Sequence, residues 1–197
     1  MGQKDLYQSD FYEDKARFAD VFNGILFDGE EVVKPQELEE VDSIMVSLEN
    51  RKQAKQVICD KIRRWKGSYL SVLVLENQSY VDYSMVFRIM EAEAIGYRKQ
   101  QRDRYRKRYR SNVRFCSDEY LSRMKKGEKF IPIITLVLYL GKDRIWDGET
   151  NLYGMLELRE ELKPSVNNFK LNLFDYHEHK DFRMFKSNSS AITNHDS

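Results

Sequence analysis

The chain has 197 residues, of which 41% are hydrophobic, and this is enough to bury one core, so a single domain is expected. No apolar run approaches the roughly 18 residues of a membrane span, and the first ten residues lack the apolar stretch of a signal peptide. The cysteines, Cys59 and Cys116, give neither a disulfide framework nor a zinc spacing. We therefore expect a reduced, cytoplasmic protein without a membrane partner.

The net charge of +1 hides two segments of opposite charge. Residues 28–49 carry eight acids and one base, whereas residues 98–110 carry eight bases and one acid. The near-neutral total therefore says little about partners, because a dense basic segment is typical of contact with nucleic acid.

The first predicted element is a helix over residues 15–27, where apolar residues recur with helical spacing. Asp20 falls off this apolar stripe. It is either a solvated surface acid or an additional acid that reaches a nearby sheet edge. Residues 41–48 are predicted as an edge strand or a loop.

Residues 57–79 are predicted to form two strands joined by a tight turn at Lys66-Gly67. The run from Tyr69 to Leu75 is almost wholly apolar and β-branched, as in a strand buried on both faces. It ends in Glu76-Asn77-Gln78, and Asp60 lies on the preceding strand. Because an unpaired buried charge costs several kcal/mol, two acids on neighbouring strands indicate a site for a hard metal ion.

The length of the turn decides whether these two acids share a face. A two-residue turn pairs position 60 with 73 and separates Asp60 from Glu76, since side chains alternate along a strand. An odd loop centred on Gly67 pairs 60 with 74 and leaves Glu76 roughly 7 Å away. We therefore predict an odd loop, and acids on opposite faces would exclude a shared metal.

The rest of the chain predicts an α/β fold with a mixed central sheet flanked by helices. The remaining elements are a long helix from Asp82 to about Arg108, a buried strand over residues 130–140, a short helix from Leu152 to Leu162, a strand over residues 169–174 and a disordered tail over residues 187–197.

The two acids of the hairpin form the sharpest candidate site. Carboxylates of Asp60 and Glu76, with the backbone carbonyl of Asn77, would supply oxygen ligands to Mg²⁺ or Mn²⁺. Gln78 would orient the attacking water or contact the phosphate. The alternative is a buried carboxylate held in an ion pair by a nearby arginine, namely Arg63, Arg64 or Arg88.

The basic segment is a candidate contact for the phosphate backbone of DNA. The alternative is an ordinary solvated helix end. Tyr105 and Tyr109 interleave with the bases and are candidates for stacking on unpaired bases. His177-Glu178-His179 is a weak metal motif. The candidate DNA-binding bases are Arg98, Lys99, Arg102, Arg106, Lys107 and Arg110.

Several of these runs together resemble the recombination-promoting nuclease/putative transposase family of the PD-(D/E)XK nuclease superfamily. The resemblance covers most of residues 15–186. The runs that carry it are Arg17-Phe18-Ala19-Asp20-Val21-Phe22-Asn23-Gly24, Asp60, Tyr69-Leu70-Ser71-Val72, Glu76-Asn77-Gln78-Ser79, Met85-x-x-Arg88-x-Met90, residues 131–141, Asp147-Gly148 and residues 171–176.

The resemblance implies a restriction-endonuclease-like αβββαβ core and Mg²⁺-dependent DNA cleavage linked to recombination or mobile elements. It makes Asp60 and Glu76 the two motif acids and puts Gln78 where the superfamily usually has lysine, with Asp20 as a match to the acid on the first core helix. The likeness ends at Lys186, so we expect a nuclease-like domain over residues 1–186 without the family's C-terminal helical region.

Three functions follow as hypotheses. The first is a metal-dependent DNA endonuclease, with DNA as the partner and a homodimer left open. The second is an inactive DNA-binding relic of a transposase-like nuclease. The third is a protein-interaction module in which the acidic segment over residues 28–49 covers the basic one.

Overall fold

The computed structural model describes residues 12–41, 61–76, 81–141 and 144–178, with the backbone alone for residues 71–76. The elements are α1 (Lys15–Leu26), β1 (Leu38–Glu40), β2 (Lys61–Trp65), β3 (Ser68–Glu76), α2 (Met85–Arg110), α3 (Ser117–Ser122), β4 (Ile133–Leu140) and β5 (Asn172–Asp175). The order α1–β1–β2–β3–α2–β4 matches the predicted αβββαβ core, and β5 adds a strand. The predicted α/β class is confirmed.

The described strands form one mixed sheet in the order β1-β2-β3-β4-β5. The pairs β1–β2 and β2–β3 are antiparallel, whereas β3–β4 and β4–β5 are parallel. A parallel pair needs a crossover, and α2 supplies it between β3 and β4. The carboxyl ends of β3, β4 and β5 therefore meet at one edge of the sheet, which we call the carboxyl edge.

Each face of the sheet has its own core, as strand alternation requires. On one face, Leu70 and Leu136 pack with Phe18 and Phe22 of α1. On the other face, Val137 and Tyr139 pack with Met85 and Ile89 of α2. The sheet is thus covered by α1 on one side and by the first half of α2 on the other.

The hairpin between β2 and β3 has a two-residue turn, so the predicted odd loop is wrong. Trp65 pairs with Ser68, and the turn residues Lys66 and Gly67 both have positive φ, 42° and 75°. Such primed turns match the right-handed twist of the flanking strands. Lys66 is held in place by Glu37, whose carboxylate lies 3.1 Å from its ammonium group.

Two further predictions change in the structure. The predicted helix from Leu152 to Leu162 is wrong, because this stretch contains two short 3₁₀ turns, Tyr153–Met155 and Glu160–Ser165. Pro164, which cannot donate a backbone hydrogen bond, lies inside the second turn. The predicted edge strand over residues 41–48 falls almost wholly outside the described residues, and β1 ends just before it.

Side chains of α2 bind the backbone of β4 where β5 does not reach. β5 begins opposite Leu136, and in the part of the chain that the structure describes no strand pairs on that side with the backbone groups at Ile131 and Ile133 or with the Thr135 N–H. The Thr135 carbonyl accepts from the Asn172 side chain of β5 at 3.0 Å. Gln100 accepts from the Ile131 N–H at 2.8 Å and donates to its carbonyl at 2.9 Å, and the Tyr97 hydroxyl accepts from the Ile133 N–H at 3.2 Å.

Glu93, one turn earlier, completes this series with hydrogen bonds to the hydroxyl and backbone of Thr135. Three α2 residues, spaced four and then three residues apart, therefore line the side of β4 where a neighbouring strand would otherwise pair. We call Glu93, Tyr97 and Gln100 the edge ladder. It fixes the direction of α2 antiparallel to β4.

Glu93 makes stability depend on pH. Burial raises the pKa of its carboxyl above the usual value, although the hydrogen bonds from Thr135 oppose this. The folded state therefore favours the protonated group, so its stabilising contribution is complete below the unfolded pKa and is lost as pH rises through the folded pKa. Glu93→Gln should thus be more stable than wild type at neutral pH, with a difference that shrinks as pH falls to about 4.

Urea unfolding midpoints from acid to neutral pH measure this difference. Glu91→Gln, at an exposed position of the same helix, is the matched control. A Glu93→Gln protein less stable than wild type at neutral pH would contradict this assignment of the carboxyl.

Candidate active site and nucleic-acid interface

Of the predicted metal ligands, the structure describes only the backbone of Glu76. It is the last residue of β3, pairs with Leu140 at the end of β4, and so lies at the carboxyl edge. Position 76 is six residues after Leu70 and belongs to the row of strand positions on the α1 side. Asp60, Asn77 and Gln78 lie outside the described residues.

Asp20 lies on α1 and is half-buried. The helix packs on the side of the sheet to which position 76 belongs. The structure thus puts the possible additional acid on the helix that covers the Leu70 face of the sheet. This placement is compatible with the role that the family resemblance implied for Asp20.

The two-residue turn removes the register argument that joined Asp60 to Glu76. Lys61 pairs with Val72 in the hairpin, whereas the predicted odd loop would have paired it with residue 73. Because Asp60 is outside the described residues, the shared site remains a prediction. It now requires a local change of register between the two strands.

The three arginines of the ion-pair alternative already have acidic partners. The buried Arg63 is surrounded by protein and packs its guanidinium 5.7 Å from the ring centre of Phe18. Among the described residues, the acids within 4 Å are Glu13 and Glu40 for Arg63, Glu39 for Arg64 and Asp82 for Arg88. These pairs give each arginine a charge partner other than the predicted metal ligands.

The described part of the acidic segment binds β2. Glu37 accepts a hydrogen bond from the Trp65 indole at 3.0 Å, which with Lys66 lowers the pKa of its carboxyl. Glu39 and Glu40 face the arginines of β2 named above. These three acids therefore stabilise the hairpin and do not support the hypothesis that the acidic segment covers the basic one.

The basic segment forms the second half of α2 and continues beyond the sheet. Gln100 is level with Ile131, before the start of β4, so residues 101–110 extend past the sheet. The chain then returns along this helix through α3. We call residues 98–132 the basic arm. It contains thirteen bases and four acids, a net charge of +9, so the rest of the protein carries −8 within the total of +1.

Glu128 fastens the returning chain to α2. Its carboxylate lies 2.6 Å from Arg108 and 3.6 Å from Arg104, and it accepts from the Lys125 N–H at 3.0 Å. Burial opposes ionisation, but the Lys125 hydrogen bond and the two guanidinium groups outweigh it and lower the pKa of Glu128. The carboxylate therefore stays charged and holds two arginines in structural roles.

The bases predicted from the sequence to contact DNA do not include the two arginines that pair with Glu128. Arg98, Arg102, Arg106, Lys107 and Arg110 are exposed, and Lys99 is half-buried. Arg98, Arg102, Arg106 and Arg110 recur every four residues, so they form one ridge with steps of about 6 Å along the helix. The arm thus separates arginines that hold the fold from arginines that face solvent.

The two tyrosines that interleave with the bases of α2 have different environments. The Tyr105 ring packs against Tyr109 and Phe115, with centroids 6.2 and 5.4 Å away, and Arg123 lies 5.9 Å over it. Tyr105 therefore joins the packing of the arm. Tyr109 is 65% exposed and remains a candidate for stacking on bases.

His177, which belongs to the weak metal motif, contacts other residues of the fold. Its ring Nε2 contacts the Gly141 carbonyl, and its backbone N–H donates to the buried Asp175 at 2.9 Å. Asp175 also accepts from the Trp146 N–H at 2.6 Å. His179 is outside the described residues, within which no cluster of three potential metal ligands occurs.

Comparison with known proteins places the chain in a family. The family model described as "Putative transposase, YhgA-like" matches residues 55–195. The chain belongs to this YhgA-like transposase family. The match includes the predicted site from Asp60 to Gln78 and the whole basic arm, and it runs past Lys186.

Family membership connects the protein with mobile elements. No curated protein and no solved structure matches the chain. Among the helices that the structure describes, none combines the length and apolar character needed to cross a bilayer.

Glu128 is a residue that the sequence interpretation missed, although it is the one acid among the bases of residues 123–129. Glu128→Gln should loosen the returning chain, because the neutral amide cannot pair with both arginines. We expect faster tryptic cleavage at Arg123, Lys125 and Lys126, with little change in the global unfolding midpoint. Asp118→Asn, at an exposed position in the same arm, is the control, and equal cleavage rates in both variants would contradict the role of Glu128.

Proposed function

We propose that the protein is a metal-dependent DNA endonuclease of the PD-(D/E)XK class that acts in recombination or on mobile elements. The observation that carries the proposal is the position of Glu76 at the end of the central strand of an αβββαβ core. Family membership and the exposed ridge of the basic arm support it. In open α/β sheets, ligands bind beyond the carboxyl ends of the strands, which is where Glu76 lies.

The proposed metal ligands are Asp60, Glu76 and the backbone carbonyl of Asn77. All three donors are oxygens, the set that suits Mg²⁺ or Mn²⁺. When bound, such an ion polarises a phosphodiester and lowers the pKa of the attacking water. Asp20 is the proposed additional acid, on the helix that covers the same side of the sheet.

Gln78 has a limited role because an amide carries no charge and does not transfer protons at neutral pH. Its NH₂ group can donate to a phosphate oxygen, and its carbonyl can accept from the attacking water. We therefore propose that it orients the reactants. A lysine at this position would also stabilise the negative charge that develops on the phosphate.

The observed hairpin adds one requirement to the proposal. With Lys61 paired to Val72, Asp60 reaches the face of position 76 only if one extra residue shifts the register, as a β-bulge does. Bulges are frequent next to active sites. An experimental structure with Asp60 and Glu76 on opposite faces would exclude the shared metal.

Plasmid nicking tests the activity. Wild-type protein with Mg²⁺ or Mn²⁺ should cut, and EDTA should abolish cutting. Glu76→Ala should reduce the rate by more than the roughly 10–100-fold that is lost with an outer partner of a metal ligand. Glu157→Ala, at an exposed position remote from this edge in sequence, is the control. DNA binding without cutting under every condition would favour the inactive relic.

Salt dependence tests the exposed ridge as the backbone contact. Four arginines on phosphates predict a slope of log K against log salt near −4, at about −0.9 per contact. Arg98→Glu/Arg102→Glu/Arg106→Glu should flatten the slope by about 3. Filter binding over a series of salt concentrations measures it, and an unchanged slope in the triple variant would remove the ridge from the DNA interface.

A further inference from the structure

The basic arm and Glu76 lie at opposite ends of the sheet. Met85, at the start of α2, packs in the same core as Tyr139 near the end of β4. Tyr97 and Gln100 are bound to Ile133 and Ile131, at the start of β4. Because α2 runs antiparallel to β4, its basic half points away from the carboxyl edge.

The separation follows from the geometry of the two elements. Ile133 and Leu140 are seven residues apart on β4, which is about 23 Å at 3.3 Å per residue. Tyr97 is level with Ile133, and Arg110 lies thirteen residues beyond it on α2, which adds about 20 Å. Measured along the sheet from Glu76, the exposed ridge thus begins about 25 Å away at Arg98 and ends about 43 Å away at Arg110.

This distance is too large for the arm to touch the phosphate that Glu76 would act on, because an extended arginine side chain spans well under half of it. We propose that the arm is a second DNA contact, which holds duplex about 7 to 13 base pairs from the cut at 3.4 Å per base pair. The proposal rests on the proposed nuclease function. It makes the arm a source of affinity and position, with no part in the bond-breaking step.

The charge distribution favours one continuous duplex as the ligand. The arm carries +9 and the rest of the protein −8, so DNA is attracted to the arm and repelled elsewhere. A duplex anchored on the arm still has to reach the carboxyl edge, where an ion would offset the acids. Only DNA long enough to span both places can make both contacts.

Duplex length is therefore the variable to test. Binding in Ca²⁺, a hard cation that takes oxygen ligands and would offset the acids, should be measured with duplexes of about 6, 10, 14 and 20 base pairs, and a denaturing gel should confirm that the strands stay intact. Wild-type affinity should rise by about tenfold or more between about 6 and 14 base pairs, because the second contact is then intramolecular. Arg98→Glu/Arg102→Glu/Arg106→Glu should show no such rise.

A matched control carries the same change of charge at exposed lysines outside the arm, Lys15→Glu/Lys34→Glu/Lys170→Glu. It should keep the length dependence. Equal length dependence in the arm variant and in the control would overturn the proposal. So would simultaneous binding of two short duplexes to one chain, since the arm would then hold a separate segment.

Cleavage separates this proposal from the proposed function. If the wild type never cuts but keeps the arm-dependent rise in affinity, the nuclease assignment fails and the distal DNA contact stands. If the wild type cuts, the cut sites on a linear duplex should lie at least about 7 base pairs from one end. Efficient cutting closer than this to both ends, together with an affinity that does not depend on duplex length, would support the nuclease function. It would reject the arm as a second DNA contact.

Discussion

The edge ladder is the contact on which the placement of both candidate functional regions depends. Glu93, Tyr97 and Gln100 satisfy backbone groups of β4 that β5 leaves unpaired. Buried backbone groups without partners are costly, so the helix cannot slide along the strand without losing several hydrogen bonds at once. The ladder therefore sets how far the basic half of α2 extends beyond the sheet, and with it the distance between the arm and Glu76.

The arm shows how one helix can carry charge for two purposes. Arg104 and Arg108 lie on the side where the chain returns and are paired with Glu128. The ridge from Arg98 to Arg110 lies on the exposed side. Because Glu128 neutralises bases that would otherwise repel the returning chain, the helix keeps a dense row of exposed positive charge without unfolding its own end. Affinity for a polyanion and stability of the arm thus use different residues.

The order of elements could be predicted because the spacing of apolar residues identifies a helix or strand even when its predicted ends are misplaced by a few residues. The spacing of apolar residues indicated α1 and α2, the apolar runs indicated β3 and β4, and ends shifted by two or three residues did not change the topology. The turn at Lys66-Gly67 is different, since one residue more or less leaves the pattern of apolar residues almost unchanged. It nevertheless reverses the face of every residue before it.

That sensitivity explains why the candidate site was harder to predict than the fold. Its strongest feature, an acid at the end of a central strand, depends only on where β3 stops, and the structure puts Glu76 there. The partnership with Asp60 depends in addition on a residue count across the hairpin, which neither composition nor periodicity determines. The positions of acids along strands can therefore be inferred from sequence well before their pairing can. For a two-carboxylate metal site, the pairing is what decides whether the chemistry is available.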